Sequence, residues 1–533
     1  MPPTRREVLA RLAALAAAAA LPERAWALRA SDPLDGTIAA YREGLRRGAW
    51  SAAEVTAHAL DRCRAEGMAW RAIDVLSDVA PDEARAADAR LRAGRLRGPL
   101  DGVPVFAKAI YDMNGLPTTA SNAEWARLYP EPVRRDALEV ARLRAAGAIV
   151  LGKTAADDFA YHGNGTSSHT GQVLNPHDPT GTRTPGGSSA GSAVAVADGM
   201  AFAALGTDDG GSNRIPAQFT GVVGMKPTFG LVPRTGVIPT WPYLDTHGPL
   251  ARTVADAALL LAVVAGADAS DPLARAGAWS PVPPPTSLRD DALAGVRLGR
   301  VEAHVPRDEM TAEALEAWAR AVADLHAAGA AVEPFTPSVT LWDVRDAFAE
   351  AARALGDVPA DPRSPAPTAN ALYRYFAGRT EQPREAVRRG YAAYRRFYDV
   401  LPERWEDCEP LLVQPMEDDP AGRSFARSRA RVVAGLRDSM QAAGVTAMVY
   451  PTMPFNAPPA AGSWPPVRTP LSYGNWLGLP EVSVPAGLGA DGMPALNVSI
   501  VGLPGEDASV LSLAHAYERH SRRFVQPPRP GGR

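Results

Sequence analysis

Cysteine is nearly absent. The 533 residues hold only Cys63 and Cys408, too few for a disulfide framework, so a hydrophobic core must hold the fold and both thiols are read as unpaired. An excess of one charge is also missing. The net charge is −3 with both signs well mixed, which leaves no basic stripe to follow a phosphate backbone and no support for nucleic-acid binding. No stretch is apolar for long enough to span a bilayer. Histidine is scarce at nine residues. His162 with His169, and His515 with His520, are too loosely placed for metal ligands, so no metal is expected. No internal repeat is found. Proline is plentiful instead, at 50 residues, implying many fixed turns. The length would suit two or three average domains or one large α/β domain.

The densest chemical signal is Thr182–Thr228, TRTPGGSSAGSAVAVADGMAFAALGTDDGGSNRIPAQFTGVVGMKPT. Gly186-Gly187 runs into Ser188 and Ser189, and Gly210-Gly211 runs into Ser212. Between them, Ala193–Leu205 is small and apolar and reads as buried backbone. Glycine pairs beside hydroxyls suggest backbone brought close to something, and the N–H groups of such a turn can converge on a developing oxyanion. A serine there needs a base from elsewhere. Lys108, near the end of the apolar run Val103–Ile110, is the candidate, because a lysine carried into an apolar strand loses its preference for the charged form. The alternative for a lone lysine at a strand end is a snorkelling surface residue.

Several strings imitate other chemistries. Gly147-x-x-x-x-Gly152-Lys153-Thr154 spells a phosphate loop, but its four middle residues, AIVL, read as a strand themselves. Lys153 is the rival of Lys108 for the base. Gly187-Ser188-Ser189-Ala190-Gly191 matches G-x-S-x-G with Ser189 as nucleophile, a motif that needs a strand before it. The preceding NPHDPTGTRTPGG is turn-rich and cannot be a central strand. The later histidines (His247, His304, His326, His515, His520) read as loop or solvated helix-face residues. Ser189 is expected to cap a helix Ala190–Asp198, and Asp157-Asp158 to be a solvated first helical turn.

Taken together, these segments resemble the amidase signature family. The match lies in PGGSSAGSA and GTDDGGSNRIPAQFTGVVGMKPT, with a serine interval that the family keeps. Upstream, GVPVFAKAIYDMNGLPTTA and GAIVLGKTAADDFA also fit; downstream, FGLVPRTGVIPTWPYLDTHGPLARTVADAALLL and LGLPEVSVPAG do. The resemblance implies an α/β fold, a large mixed β-sheet core surrounded by α-helices, over residues 28–520. It implies Ser212 as acyl-accepting nucleophile, Lys108 as base and Ser188 as a cis-serine relaying the proton. It further implies an oxyanion hole from the N–H groups of Asp209, Gly210, Gly211 and Ser212, and a supporting ion pair between Asp208 and Arg214. No metal and no cofactor are expected, and the partner is a small-molecule amide met by a monomer or homodimer. Ala109, Ala190 and Asn213 depart from the family pattern without touching a catalytic position. A rival within the family is the glutamine-hydrolysing subunit of a tRNA-dependent amidotransferase, although Ile215 stands where that protein usually has glutamine. A rival of another class is an inactive binding module on the same fold, opposed by the intact Lys108, Ser188 and Ser212.

At the N-terminus, Thr4-Arg5-Arg6-Glu7-Val8-Leu9 resembles a twin-arginine signal, followed by an apolar stretch to Leu21 and a small-x-small site at Ala25-Trp26-Ala27. Residues 1–27 are expected to be a signal cleaved after Ala27, giving a periplasmic or secreted protein with no membrane contact afterwards. The other reading is an amphipathic first helix, since Arg11 interrupts the run. Further along, Ser51 is expected to cap a helix, and Ser280–Pro285 to be a stiff connector. Val296–Val301, Thr311–Ala328 and Ala331–Phe335 should form a βαβ-like unit on the same sheet. Residues 338–440 read as a variable helical region that walls the cleft through Tyr373, Tyr375 and Phe376, and 521–533 as a disordered tail.

Overall fold

Short apolar runs bounded by glycine and proline set the strands. The computed structural model describes residues 32–528 except Pro179, 275–281, 283, 463 and 466–468. The expected signal, part of the Ser280–Pro285 connector and the last five residues therefore lie outside the described residues. The strands are β1 Ile73–Leu76, β2 Pro104–Lys108, β3 Ile149–Thr154, β4 Thr166–Ser167, β5 Gly171–Gln172, β6 Ala203–Asp208, β7 Val223–Lys226, β8 Thr246–Ala251, β9 Arg297–Val301, β10 Ala331–Phe335, β11 Ala447–Pro451, β12 Glu481–Pro485 and β13 Asn497–Val501. Eleven of them form one sheet in the order β1-β3-β2-β6-β8-β7-β12-β13-β11-β9-β10, and β4 pairs with β5 apart from it.

The sheet is mixed. β2 runs parallel to both β3 and β6, whereas β8 is antiparallel to β6 and β7. Every residue of β2, β3, β6 and β12 is buried, as expected of strands covered by helices on both faces. Such strands read as continuous apolar runs rather than alternating ones. The expected βαβ unit is present: β9 and β10 pair in parallel and the helix Ala312–Ala327, capped by Thr311, lies between them in sequence. Ser51 opens the helix Ala52–Arg62 with a complete capping box, its hydroxyl taking the Glu54 N–H while the Glu54 carboxylate takes the Ser51 N–H.

The helix Ala190–Ala197, AGSAVAVA, is buried along its whole length. Small residues let it press against neighbouring backbone: a Cβ at Gly191 would lie 2.2 Å from the Ala72 carbonyl oxygen. Three expectations change here. The AIVL strand continues through Gly152, Lys153 and Thr154, so the phosphate-loop string is strand throughout its second half. Ser189 occupies the N-cap position, but its side chain caps nothing. Ser521, expected to open a disordered tail, instead ends the helix Asp507–Ser521; Arg523 then pairs with Asp324 at 2.9 Å and Phe524 packs on the core. No helix among the described residues is long and apolar enough to cross a membrane.

Candidate active site

The parallel pairing of β2 with β6 brings the carboxyl ends of both strands to one edge of the sheet, the usual position for a site in open α/β sheets. Lys108 ends β2, and Thr207 and Asp208 end β6. The Lys108 ammonium group is wholly buried and donates to Ser188 Oγ at 2.7 Å and Thr207 Oγ1 at 2.8 Å. Burial lowers its pKa to about 8, against the pull of Asp209, Asp157, Asp245 and Asp208. Lys153, the rival, is equally buried but donates to the Pro117 carbonyl and the Thr118 hydroxyl, and to neither serine.

Ser188 follows a cis peptide bond from Gly187 and is buried. The next residue ties the two serine loops together, with the Ser189 N–H donating to the Ser212 carbonyl at 3.2 Å. The Ser189 hydroxyl faces Asn213 Oδ1 and the Thr207 backbone. It braces the loops and meets no histidine, which closes the G-x-S-x-G reading. Ser212 lies at the edge of the cleft and is 8% exposed.

Between β6 and Ser212 the chain turns through Asp209, Gly210 and Gly211, the last at φ +120°, a conformation that favours glycine. Asp208 organises this turn. Its Oδ1 accepts the Gly211 N–H at 2.7 Å and its Oδ2 the Asn213 N–H at 3.1 Å. Of the four N–H groups expected to form an oxyanion hole, that of Gly211 is taken by Asp208, whereas those of Asp209, Gly210 and Ser212 bond to no described residue. Arg214 meets Asp208 through Nε and Nη2, each at 2.9 Å, and reaches Glu481 through Nη1 at 2.7 Å, all of it fully buried. Burial alone would raise the Asp208 carboxyl, but the guanidinium holds it well below the usual range.

Sequence reasoning missed several members of this assembly. Asp157 is buried rather than solvated, and its carboxylate accepts the Asn164 and Gly165 N–H groups. Burial lifts it to about 7. Asp158 is also buried and takes bonds from Asn122 and Ser168. His247 sits on β8 with no exposure, Nδ1 2.6 Å from Glu139 and Nε2 3.2 Å from Asp245. The second contact is an ionic one whose alignment misses a hydrogen bond, since the Nε2 atom has no hydrogen-bond partner. Burial opposes the imidazolium, yet the two carboxylates raise His247 to about 10. His304 is likewise buried, not solvated. Asp209 accepts from Thr240 at 2.6 Å, while its second oxygen is buried without a partner. Burial, and then the nearby Asp245 carboxylate, push its carboxyl well up.

Ser212 opens into a cleft of about 530 Å³ lined by Tyr161, Trp241, Tyr398, Trp464 and Trp476, with Arg345 and Arg363 among its walls. The 338–440 region does reach the cleft, but through Arg345, Pro362, Arg363 and Tyr398. Tyr375 instead bonds to Asp112, and Phe376 packs on Trp125, both in the core. Among the described residues no group of three His, Cys, Asp or Glu could hold a metal ion.

This sheet, with a buried lysine on a serine beside a glycine-rich serine turn, is the arrangement of amidase signature enzymes, and the chain belongs to that family. The family model described as Amidase matches residues 54–403. The chain is 33% identical over 521 residues to a glutamyl-tRNA(Gln) amidotransferase subunit from Cereibacter sphaeroides (strain ATCC 17029 / ATH 2.4.9), covering 92% of this chain and 98% of that one. Among solved structures it resembles the native peptide amidase from Stenotrophomonas maltophilia, with a TM-score of 0.75 at 30% identity over 92% of this chain and 98% of that one. An amidase family protein from Bacillus anthracis str. Ames gives 0.73 at 25% identity, covering 92% of each chain. The protein is an amidase-family enzyme acting on carbon–nitrogen bonds.

Proposed function

We propose that this is an exported amidase that hydrolyses a carboxamide through an acyl-enzyme on Ser212. The observation that carries the reading is the 2.7 Å contact between Lys108 and Ser188, wholly buried behind the serine turn. With its pKa lowered to about 8, Lys108 is partly neutral near physiological pH and can accept a proton. Ser212 Oγ attacks the amide carbon, and its proton passes through the Ser188 hydroxyl to Lys108 Nζ. The N–H groups of Asp209, Gly210 and Ser212 hold the tetrahedral oxyanion. Collapse breaks the C–N bond, and the proton returns through Ser188 to the leaving nitrogen. Water then attacks the ester by the same relay and releases the acid, restoring Ser212. A fluorophosphonate probe should label the wild type and not Ser212→Ala. Lys108→Ala should lose amide turnover by roughly 10²–10⁴-fold. Labelling that survives in Ser212→Ala, or turnover indifferent to Lys108, defeats the assignment.

A second reading, glutamine hydrolysis for a tRNA-dependent amidotransferase, draws on the names of the curated relatives. The two part on substrate: ammonia release from free glutamine favours the second, and turnover of a panel of primary amides, peptide amides, anilides and carbamates favours the first. Export draws on residues Thr4–Leu9 and Ala25–Ala27. N-terminal sequencing of periplasmic protein should begin at Leu28, and retention of Met1 on all of the active protein would exclude a cleaved signal.

A further inference from the structure

We propose that the cleft selects amides carrying a carboxylate remote from the scissile bond, held at the cleft wall by Arg345 and Arg363. The inference deepens the amidase reading and rests on it. Some exposed arginines on this surface are matched to acids, as in Arg388 with Glu385, Arg396 with Glu124 and Arg427 with Asp357. The two at the cleft are held weakly or not at all. The Arg345 side chain is exposed and makes no hydrogen bond or ion pair with any described residue. Arg363 has only Asp361, at 3.4 Å, with both side chains about half exposed, a contact too solvated to compete strongly with a ligand.

Among the described residues the cleft offers these cations no free acid. The single acidic lining residue among them is Asp209, whose carboxyl is buried and bonded to Thr240. The same lining is rich in aromatic side chains, chiefly Trp241, Trp464, Trp476 and Tyr398. A cavity of about 530 Å³ falls in the range that encloses a small organic molecule. A ligand that satisfies the whole surface has an amide at Ser212, an apolar or aryl body, and an anion at the guanidinium forks. Guanidinium matches carboxylate in charge and in planar geometry.

The test uses 4-nitroanilides of alkanoic acids and of the diacids of equal chain length, over a series of lengths. A parallel pair carries the carboxylate on the aryl leaving group. In the wild type at least one carboxylate member should exceed its neutral partner by about tenfold or more in kcat/KM, mainly through KM. The ratio should shrink in 0.5 M salt. Arg345→Ala and Arg363→Ala should each reduce it several-fold, Arg345→Lys should keep part of it, and Arg345→Glu should reverse it. Quenching of the cleft tryptophans in Ser212→Ala reads the same preference as binding, without turnover. Equal binding and equal kcat/KM for both members, or a preference that survives the double alanine variant, overturns the proposal while leaving the amidase reading intact. Absence of turnover for every member, with binding preference retained, overturns the amidase reading instead.

Discussion

Lys108 has four carboxyl groups in its electrostatic neighbourhood, and they do not act alike. Asp208 is anionic because Arg214 outweighs burial, and Asp245 is lowered because His247 does the same. Burial pushes Asp209 well up and lifts Asp157 to about 7. Asp157 is therefore the neighbour whose charge changes just below the working range of the lysine. An anion nearby favours the ammonium form, so its removal should make Lys108 lose its proton at lower pH. The reading predicts that amide kcat/KM in the wild type rises with pH to a plateau, half-maximal near 8. In Asp157→Asn the midpoint should fall by about half a unit to one unit. Asparagine keeps an acceptor for one of the two backbone N–H groups now bound, and a thermal melt reports what losing the other does. A midpoint that stays or rises in a folded variant contradicts the electrostatic account.

At the scale of elements, much was legible because the signals are local. The run GVPVFAK had to be a strand covered on both faces, and the sequence AGSAVAVA had to be a close-packed helix, since no exposed helix dispenses with polar residues so fully. Two glycine pairs ending in serine announced the turns that form the site. What stayed hidden was the partnering of buried polar groups. Arg214 and Glu481 meet across 267 positions, and Asn475 reaches back to the Asp208 carbonyl over the same distance in the chain. Glu481 did leave a trace, as the lone acid in the apolar string LGLPEVSVPAG, where an unpaired carboxylate would be too costly to keep. Asp157-Asp158 left none, because a surface helix start looks identical in sequence. The same applies to His247, whose neighbours Glu139 and Asp245 come from different parts of the chain. The 338–440 helices were legible as helices, but the face each turns to the cleft depends on packing, so Arg345 and Arg363 were not anticipated and Tyr375 was misplaced.

For the molecule as a whole, the same burial that lowers a lysine for catalysis also raises acids, both in the site and far from it. Burial raises Asp198 and Glu518 to about 8, Asp157 to about 7 and Asp256 to about 6. Each folded value lies above the unfolded one, so the native state holds protons that the unfolded chain has already released. Their contribution to stability is complete below about pH 4 and is lost as pH rises through the folded values. His247, at about 10 when folded, works in the same direction above pH 6.5. Asp208 and Asp271 have the opposite sign: both are depressed by arginine, Asp271 to about 2, so their stabilisation is present above pH 4 and lost as acid is added. Lys108 and Lys153, at about 8, and Lys226, at about 7, are depressed lysines whose folded state gains as pH climbs from those values toward 10.5. Between pH 5 and 7 the raised carboxyls therefore dominate. The melting temperature should be highest near pH 5 and fall by about 3 °C or more by pH 7 at constant ionic strength, while turnover still rises toward pH 8. Asp198→Asn should flatten that fall, because the amide carries no proton to lose. A melting temperature that is level or rising from pH 5 to 7 would mean that these acids are ionised in the folded protein, and with them the low-dielectric interior on which a neutral Lys108 depends would be lost.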